Sequence, residues 1–297
     1  MANRILVTGG QGFIGWKLVT QLRERGNDVE IFDLELGQDL RDIEQVRRAV
    51  DSNDVVFHLA AVADLNQARL FPRETMVINV EGTWNIACAC RNSGAKLYYA
   101  STCCVYGHQE HHPSDEDAMP NPAEMYACSK LAGEYVIKGF HHTYGMEFNS
   151  MRFATIYGPG TRCALGTHIF LGQALRGEPI TVHGTGEQTR TLTYIGDLVD
   201  AIVALYESKQ MNSEWNMTAT EEISALQMAQ DIKKLTGSRS EIVFLPQRVG
   251  QTLKESVSNS KMRDLVGWQP RVGWDDGLRR MYEWYLATGQ VSKHYNP

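Results

Sequence analysis

Short apolar runs ending in small or polar residues recur through the first half of the chain, at 4–8, 29–33, 55–59 and 96–100. Between them apolar side chains return every three or four positions: Ile14, Leu18, Val19 and Leu22 in one stretch, Val77, Val80, Trp84, Ile86 and Ala87 in another. Runs rich in Val, Ile and Tyr predict strands, and the wider spacing predicts helices packed against them. Their alternation predicts βαβ units, hence a parallel sheet covered on both faces. Beyond about residue 160 the alternation loosens. Gly158-Pro159-Gly160 interrupts the chain, helices are predicted over 225–236 and 274–288, and isolated strands over 179–182 and 241–245. The pattern predicts an α/β fold: a doubly wound parallel sheet over 1–160, and a smaller, interleaved α/β part over 161–297. Segments near 180–205 are expected to return to the first domain.

Composition narrows the class. A chain of 297 residues with 43% hydrophobic content holds one large domain or two modest ones. With 22% charged residues, 26 Gly and 9 Pro, it fits neither a disordered nor a fibrous sequence. The net charge of −6 argues against a nucleic-acid partner. No apolar run approaches the roughly 18 residues of a membrane span, and no signal-peptide core precedes the first glycine turn. A cytoplasmic protein with no membrane partner is therefore expected. Six cysteines, Cys88, Cys90, Cys103, Cys104, Cys128 and Cys163, contain no CxxC pair, so reduced thiols and no metal are expected. The adjacent pairs His111-His112 and His141-His142 have diverging side chains and are read as surface residues.

Glycines at 9, 12 and 15 follow the first strand and open a helix. In that setting Gly9 allows the tight turn, Gly12 the approach of a pyrophosphate, and Gly15 close helix–strand packing, with Phe13 and Ile14 between them. A diphosphate then meets the free N–H groups and dipole of a helix N-terminus. Asp33, 18 residues beyond Gly15, closes the second strand. A carboxylate there accepts bonds from both ribose hydroxyls and repels a 2′-phosphate, which points to NAD and a Rossmann-type fold.

Tyr126 and Lys130 stand at i and i+4 on a predicted helix, hence on one face. An ammonium near a phenol stabilises phenolate, against an ordinary pKa of about 10. Tyr126 is thus a candidate base for a hydroxyl proton while hydride leaves the same carbon.

With these motifs the sequence resembles the extended short-chain dehydrogenase/reductase family of NAD-dependent sugar-nucleotide epimerases and dehydratases, UDP-glucose 4-epimerase among them. Supporting segments are Asp39-Leu40-Arg41-Asp42, His58-Leu59-Ala60-Ala61, Asn79-Val80-Glu81-Gly82-Thr83 and Ser101-Thr102-Cys103-Cys104-Val105-Tyr106-Gly107. Arg152-Phe153, Tyr157-Gly158-Pro159, Gly184-Thr185-Gly186 through Arg190, then Gly267-Trp268 and Pro270 continue it. The resemblance implies a substrate-binding C-terminal part, a nucleoside-diphosphate sugar as partner, and a homodimer formed through helices near 84–92 and 126–144. It places Asp39 and Leu40 at the adenine, and Leu59, Ala60, Ala61 and Asn79 along the cofactor, with Tyr126 and Lys130 at its reactive end. Thr102 is expected to hydrogen-bond the reacting hydroxyl. Arg190 and Arg248 are expected on the substrate diphosphate, with Thr155, Arg162 and His168 completing the substrate site. Thr155 replaces a common family Asn, and Thr191 a common Asp.

Positions 103 and 104 carry Asp and Glu in the family's 4,6-dehydratases, so their absence disfavours that reaction. Some family epimerases place a Cys at the position of Cys104, and one dehydratase places one at that of Cys103. His168 matches a partner acid in one of those epimerases. The expected function is a 4-epimerase working through a 4-keto sugar. An alternative uses Cys104 with His168 to epimerise C3 or C5, or to eliminate water. A catalytically silent NAD-binding regulator is a third reading, disfavoured because Tyr126, Lys130 and Thr102 occur together.

Overall fold

The computed structural model describes residues 3–161, 163–247 and 253–289. Its first half runs β1 (Arg4–Thr8), α1 (Gly15–Glu24), β2 (Asp28–Phe32), α2 (Ile43–Asp51), β3 (Val55–His58), α3 (Leu65–Leu70) and α4 (Pro72–Met76). It continues with α5 (Gly82–Ser93), β4 (Lys96–Thr102), α6 (Met125–Tyr144) and β5 (Phe148–Phe153). The second half holds β6 (Thr155–Tyr157), α7 (Gly166–Arg176), β7 (Ile180–His183), β8 (Thr189–Tyr194), α8 (Ile195–Ser208) and β9 (Ser213–Met217). Then come β10 (Glu222–Ser224), α9 (Ala225–Thr236), β11 (Ile242–Leu245), β12 (Lys254–Glu255) and α10 (Trp274–Thr288).

The expected parallel sheet is present, with six strands in the order β2-β1-β3-β4-β5-β9 and every neighbouring pair parallel. Successive side chains on a strand face opposite ways. Ile5, Val7, Val55, Phe57, Tyr98 and Ala100 accordingly enter the core beneath α1 and α8, while Leu6, Val56, Leu97 and Tyr99 enter the one beneath α2, α5 and α6. Burial on both faces is why these runs are continuously apolar rather than alternating. β4 extends two residues beyond the predicted end at 100, because Ser101 and Thr102 keep the ladder to Arg152 and Phe153. That extension carries Thr102 to the sheet's carboxyl edge.

Within 180–205 only α8 joins the first half. It lies against α1, where Gln21 donates to Asp200 at 2.6 Å. Ile180–His183 pairs instead with β11. The chain returns once more as β9, the sixth strand, whose Ser-Glu-Trp-Asn-Met sequence lacks a strand pattern but whose Trp215 is fully buried. β8 forms a second small sheet with β6, β10 and β12. α9 and α10 span the predicted ranges, and α9 is capped by Ser224, which accepts from the Gln227 amide at 3.0 Å. No helix among the described residues is long and apolar enough to cross a membrane.

Candidate active site

The sheet order reverses between β1 and β3, and the segments leaving those strands at their carboxyl ends form a crevice. Gly9 there has φ +70°, and a Cβ on it would lie 2.8 Å from the Ala60 amide nitrogen. A Cβ on Gly15 would run into the Gly9 carbonyl oxygen, whereas at Gly12 that oxygen is the one protein atom nearby, at 3.2 Å. The turn is thus pressed against β3 and the helix, and open at Gly12. Asp33 is buried at the end of β2, with Oδ2 accepting from the Gln11 amide at 2.9 Å and Oδ1 from the Glu35 amide at 3.0 Å. Each oxygen keeps a lone pair for a ribose hydroxyl. These residues fit a dinucleotide.

The remaining cofactor candidates divide. Phe13, Ile14, Leu59, Ala60 and Ala61 are half-buried around the turn. Leu40 instead packs its side chain into the core and offers its backbone carbonyl to Asn85, at 2.9 Å. Asp39 is engaged by Arg41, whose Nε lies 3.0 Å from both carboxylate oxygens, and this holds its carboxyl below the usual range. Asn79 accepts from the Val62 amide at 2.8 Å and donates to the Val62 carbonyl and to Ser129 Oγ, both at 2.9 Å. It ties the loop after β3 to the helix residue next to Lys130.

That helix, α6, starts one residue before Tyr126, and the half-buried Tyr126 accepts from Ser129 Oγ at its carbonyl, 2.7 Å away. Lys130 is buried, with Nζ 4.9 Å from the centre of the Tyr99 ring. Burial brings its ammonium down to about 7, against the upward pull of Glu134. The cofactor-free protein should therefore gain stability between pH 7 and 10.5. Above about 7 native Lys130 is neutral, while the unfolded chain still carries the proton up to its ordinary 10.5, so the unfolded state loses its advantage as pH climbs. Thermal midpoints of wild type and Lys130→Met across that interval check this; the variant should show the flatter slope.

Thr102, at the end of β4, accepts from the Cys104 amide at 3.2 Å, capping the short turn Cys103–Tyr106, and its side chain also bonds the Cys104 thiol. The Cys104 thiol is pushed up to about 12 by burial, then by the nearby Glu255 carboxylate, with Thr102 opposing. Cys103 is fully buried with Val105, Tyr106 and Val257, its Sγ is 3.3 Å from the Arg152 carbonyl oxygen, and burial pushes its thiol well above the ordinary range. Both thiols stay protonated at neutral pH.

Of the substrate candidates, Thr155 lies on β6, paired with Leu192. Arg190 lies on β8, donating to the Thr189 carbonyl at 2.7 Å, with Nε 3.6 Å from Glu255 Oε2. His168 is buried on α7, where its Nδ1 meets the Tyr285 hydroxyl of α10 and burial lowers its pKa. Arg162 and Arg248 lie outside the described residues. Motif reading missed Glu255, and also a buried network under α6. There Arg152 donates to Glu134 from Nε at 3.0 Å and Nη2 at 2.8 Å, and to the Tyr106 hydroxyl at 2.9 Å, which in turn donates to Asn216 at 2.7 Å. Ser101 completes the Glu134 shell. Glu134 interrupting an apolar helix face was the available sign.

Comparison with known proteins decides the family. The model of the NAD dependent epimerase/dehydratase family matches residues 5–217. The chain belongs to that family. UDP-glucuronic acid decarboxylase 1 of Danio rerio is 32% identical over 318 residues, covering 99% of this chain and 76% of that protein. The UDP-glucose 4-epimerase of Thermotoga maritima, solved with UDP-glucose, is similar with a TM-score of 0.92 and 29% identity, over 97% of this chain and 100% of that one. The Thermus thermophilus UDP-glucose 4-epimerase, solved with NAD, gives 0.89 and 29%, over 96% and 99%. As a member of the epimerase/dehydratase family the chain is an enzyme of Rossmann-type fold with NAD as its cofactor, and the glycine cradle with Asp33 suits that dinucleotide.

Proposed function

We propose that this enzyme is a 4-epimerase of a nucleoside-diphosphate sugar. The observation that supports the reading is Cys103 and Cys104 directly after Thr102, at the positions where the family's 4,6-dehydratases carry the Asp and Glu that eliminate water. NAD would be held by the turn of Gly9, Gly12 and Gly15 and by the Asp33 carboxylate, and would supply a reversible hydride acceptor for the sugar carbon. Thr102 orients the C4 hydroxyl, Tyr126 takes its proton, and Lys130, buried on the same helix face, favours phenolate in its protonated form, which the cofactor-free protein holds below about pH 7. Return of hydride to the opposite face of C4, with the proton going back from Tyr126 to the C4 oxygen, would yield the epimer. Cys104 shapes the pocket beside Thr102, and Cys103 packs behind it. His168, tied to Tyr285, holds α10 against α7. Arg190, Arg162 and Arg248 are assigned to the substrate, with Thr155 at the start of the crossing segment. Residues 1–160 with α8 and β9 hold the cofactor and the rest the sugar nucleotide. The exposed aromatic face of α5 and α6, with Trp84, Tyr135 and Tyr144, is assigned to a homodimer; the particle mass in solution checks it.

The deciding experiment follows UDP-, GDP- and dTDP-hexoses in heavy water by mass and NMR. Hydride shuttling at C4 leaves every carbon-bound hydrogen unexchanged, and that is the expected result. Deuterium at C3 or C5, or loss of water, would refute direct 4-epimerisation. Loss of carbon dioxide from a hexuronate, which becomes a β-keto acid on C4 oxidation, would identify a decarboxylase instead.

A further inference from the structure

Strands β1 and β3 run side by side as far as Thr8 and His58, which are partners in the ladder. One step on, the Leu59 amide still donates to the Thr8 carbonyl, at 3.1 Å. The next amide, that of Ala60, donates to the Thr8 hydroxyl instead, at 3.2 Å. Here the cofactor crevice opens, and here a Cβ on Gly9 would strike Ala60. Two residues further, Val62 is held by Asn79 through both its amide and its carbonyl. Ala61 therefore lies between two fixed points, and the first depends on where the Thr8 hydroxyl is aimed.

His58 sets that aim. Its ring lies between two threonines, with Nδ1 2.7 Å from Thr8 Oγ1 and Nε2 3.1 Å from Thr83 Oγ1. All three side chains are buried. Among the described residues Lys130 on α6 and Tyr99 on β4, its ring centre 5.8 Å away, are the titratable groups that face the imidazole. Burial, and after it the Lys130 ammonium, brings His58 down to about 3, so the ring is neutral and has one donor and one acceptor. The Thr83 hydroxyl gives its proton to the Asn79 carbonyl at 2.6 Å. Toward the ring its oxygen therefore accepts, which assigns the ring proton to Nε2. Nδ1 keeps its lone pair and takes the Thr8 proton. The Thr8 oxygen is left with a lone pair for the Ala60 amide.

We propose that His58 is a positioning residue of the dinucleotide cradle: as the Nε2–H tautomer it aims the Thr8 hydroxyl, and through it holds the Ala60-Ala61 backbone against which NAD binds. This role toward the cofactor is the same whichever sugar carbon reacts.

Two substitutions divide the relay. In His58→Asn the side-chain oxygen takes the place of Nδ1 and the Thr8 bond is kept. In His58→Gln the amide nitrogen takes the place of Nε2 and the Thr83 bond is kept. Each loses one buried bond, so urea unfolding should show similar losses of stability in the two. Their NAD dissociation constants should differ: near wild type in His58→Asn, and about tenfold weaker in His58→Gln, where the Thr8 proton has lost its acceptor. A role in stability alone would weaken NAD binding equally in both. A difference below about threefold, or weaker binding by His58→Asn, would overturn the proposal. Nitrogen-15 NMR of the wild-type imidazole tests it with no variant to fold. The neutral Nε2–H tautomer, unchanged from about pH 5 to 9, is expected; an Nδ1–H tautomer or a ring that titrates there would overturn the proposal.

Discussion

Tyr126→Phe is expected to lower turnover by about three orders of magnitude while leaving NAD affinity unchanged, a barrier increase of about 4 kcal/mol. The substitution deletes one hydroxyl and no packing volume. Tyr126 sits in the first turn of α6, where its backbone carbonyl accepts from Ser129, a bond the substitution keeps. Lys130 and Thr102 remain in place, but no group is left to receive the C4 hydroxyl proton. Cys104, with its thiol up at about 12, cannot stand in at neutral pH. Steady-state rates with the epimerised sugar nucleotide, paired with NAD titration by protein fluorescence, check both halves. A rate within tenfold of wild type would remove Tyr126 from the proton path.

Glu134→Ala should cost about 3–5 kcal/mol of folding stability, the range for removing one partner of a buried pair. Glu134 and Arg152 have side chains only 1% and 3% exposed, and the carboxylate takes two guanidinium bonds as well as the Ser101 hydroxyl. Alanine leaves a desolvated guanidinium with no counter-charge and a serine hydroxyl without its acceptor. The double variant Glu134→Ala with Arg152→Met should recover part of the loss, because it removes the stranded charge as well. Urea unfolding of the three proteins checks this. A loss under about 1 kcal/mol in the single variant would show that water reaches Arg152. Since Glu134 also pulls the Lys130 ammonium upward, the single variant should lower the Lys130 pKa further, a second readout at the catalytic edge.

The elements legible in the sequence are those whose cause is local. β1 and α10 span their predicted ranges because an unbroken apolar run or a regular apolar stripe needs no distant partner to be recognised. The glycine turn was legible for the same reason: its steric demand lies within seven residues and one neighbouring strand. β9 was not, because Ser213–Met217 becomes a strand only by pairing with β5, more than sixty positions earlier. Glu255 reads as part of a polar loop, and its burial exists only once β12 lies on β8. Asn79 was legible as a motif residue, but its work of joining the Val62 loop to Ser129 depends on α6 arriving beside it. Residue types at the candidate site were visible in sequence; their ionisation states were not, since burial sets them.

Strand β9 has a consequence for how the protein is made. β5 has one neighbour, β4, until residues 213–217 emerge and pair with its other side. While the nascent chain is shorter than that, β5 is an open edge of six fully buried-type residues, Phe148–Phe153. The cofactor half thus cannot finish folding during its own synthesis: its closing strand is encoded after α7, β7, β8 and α8. Ribosome pausing within residues 160–210 would hold that edge bare, and it is there that chaperone capture or aggregation would compete with folding.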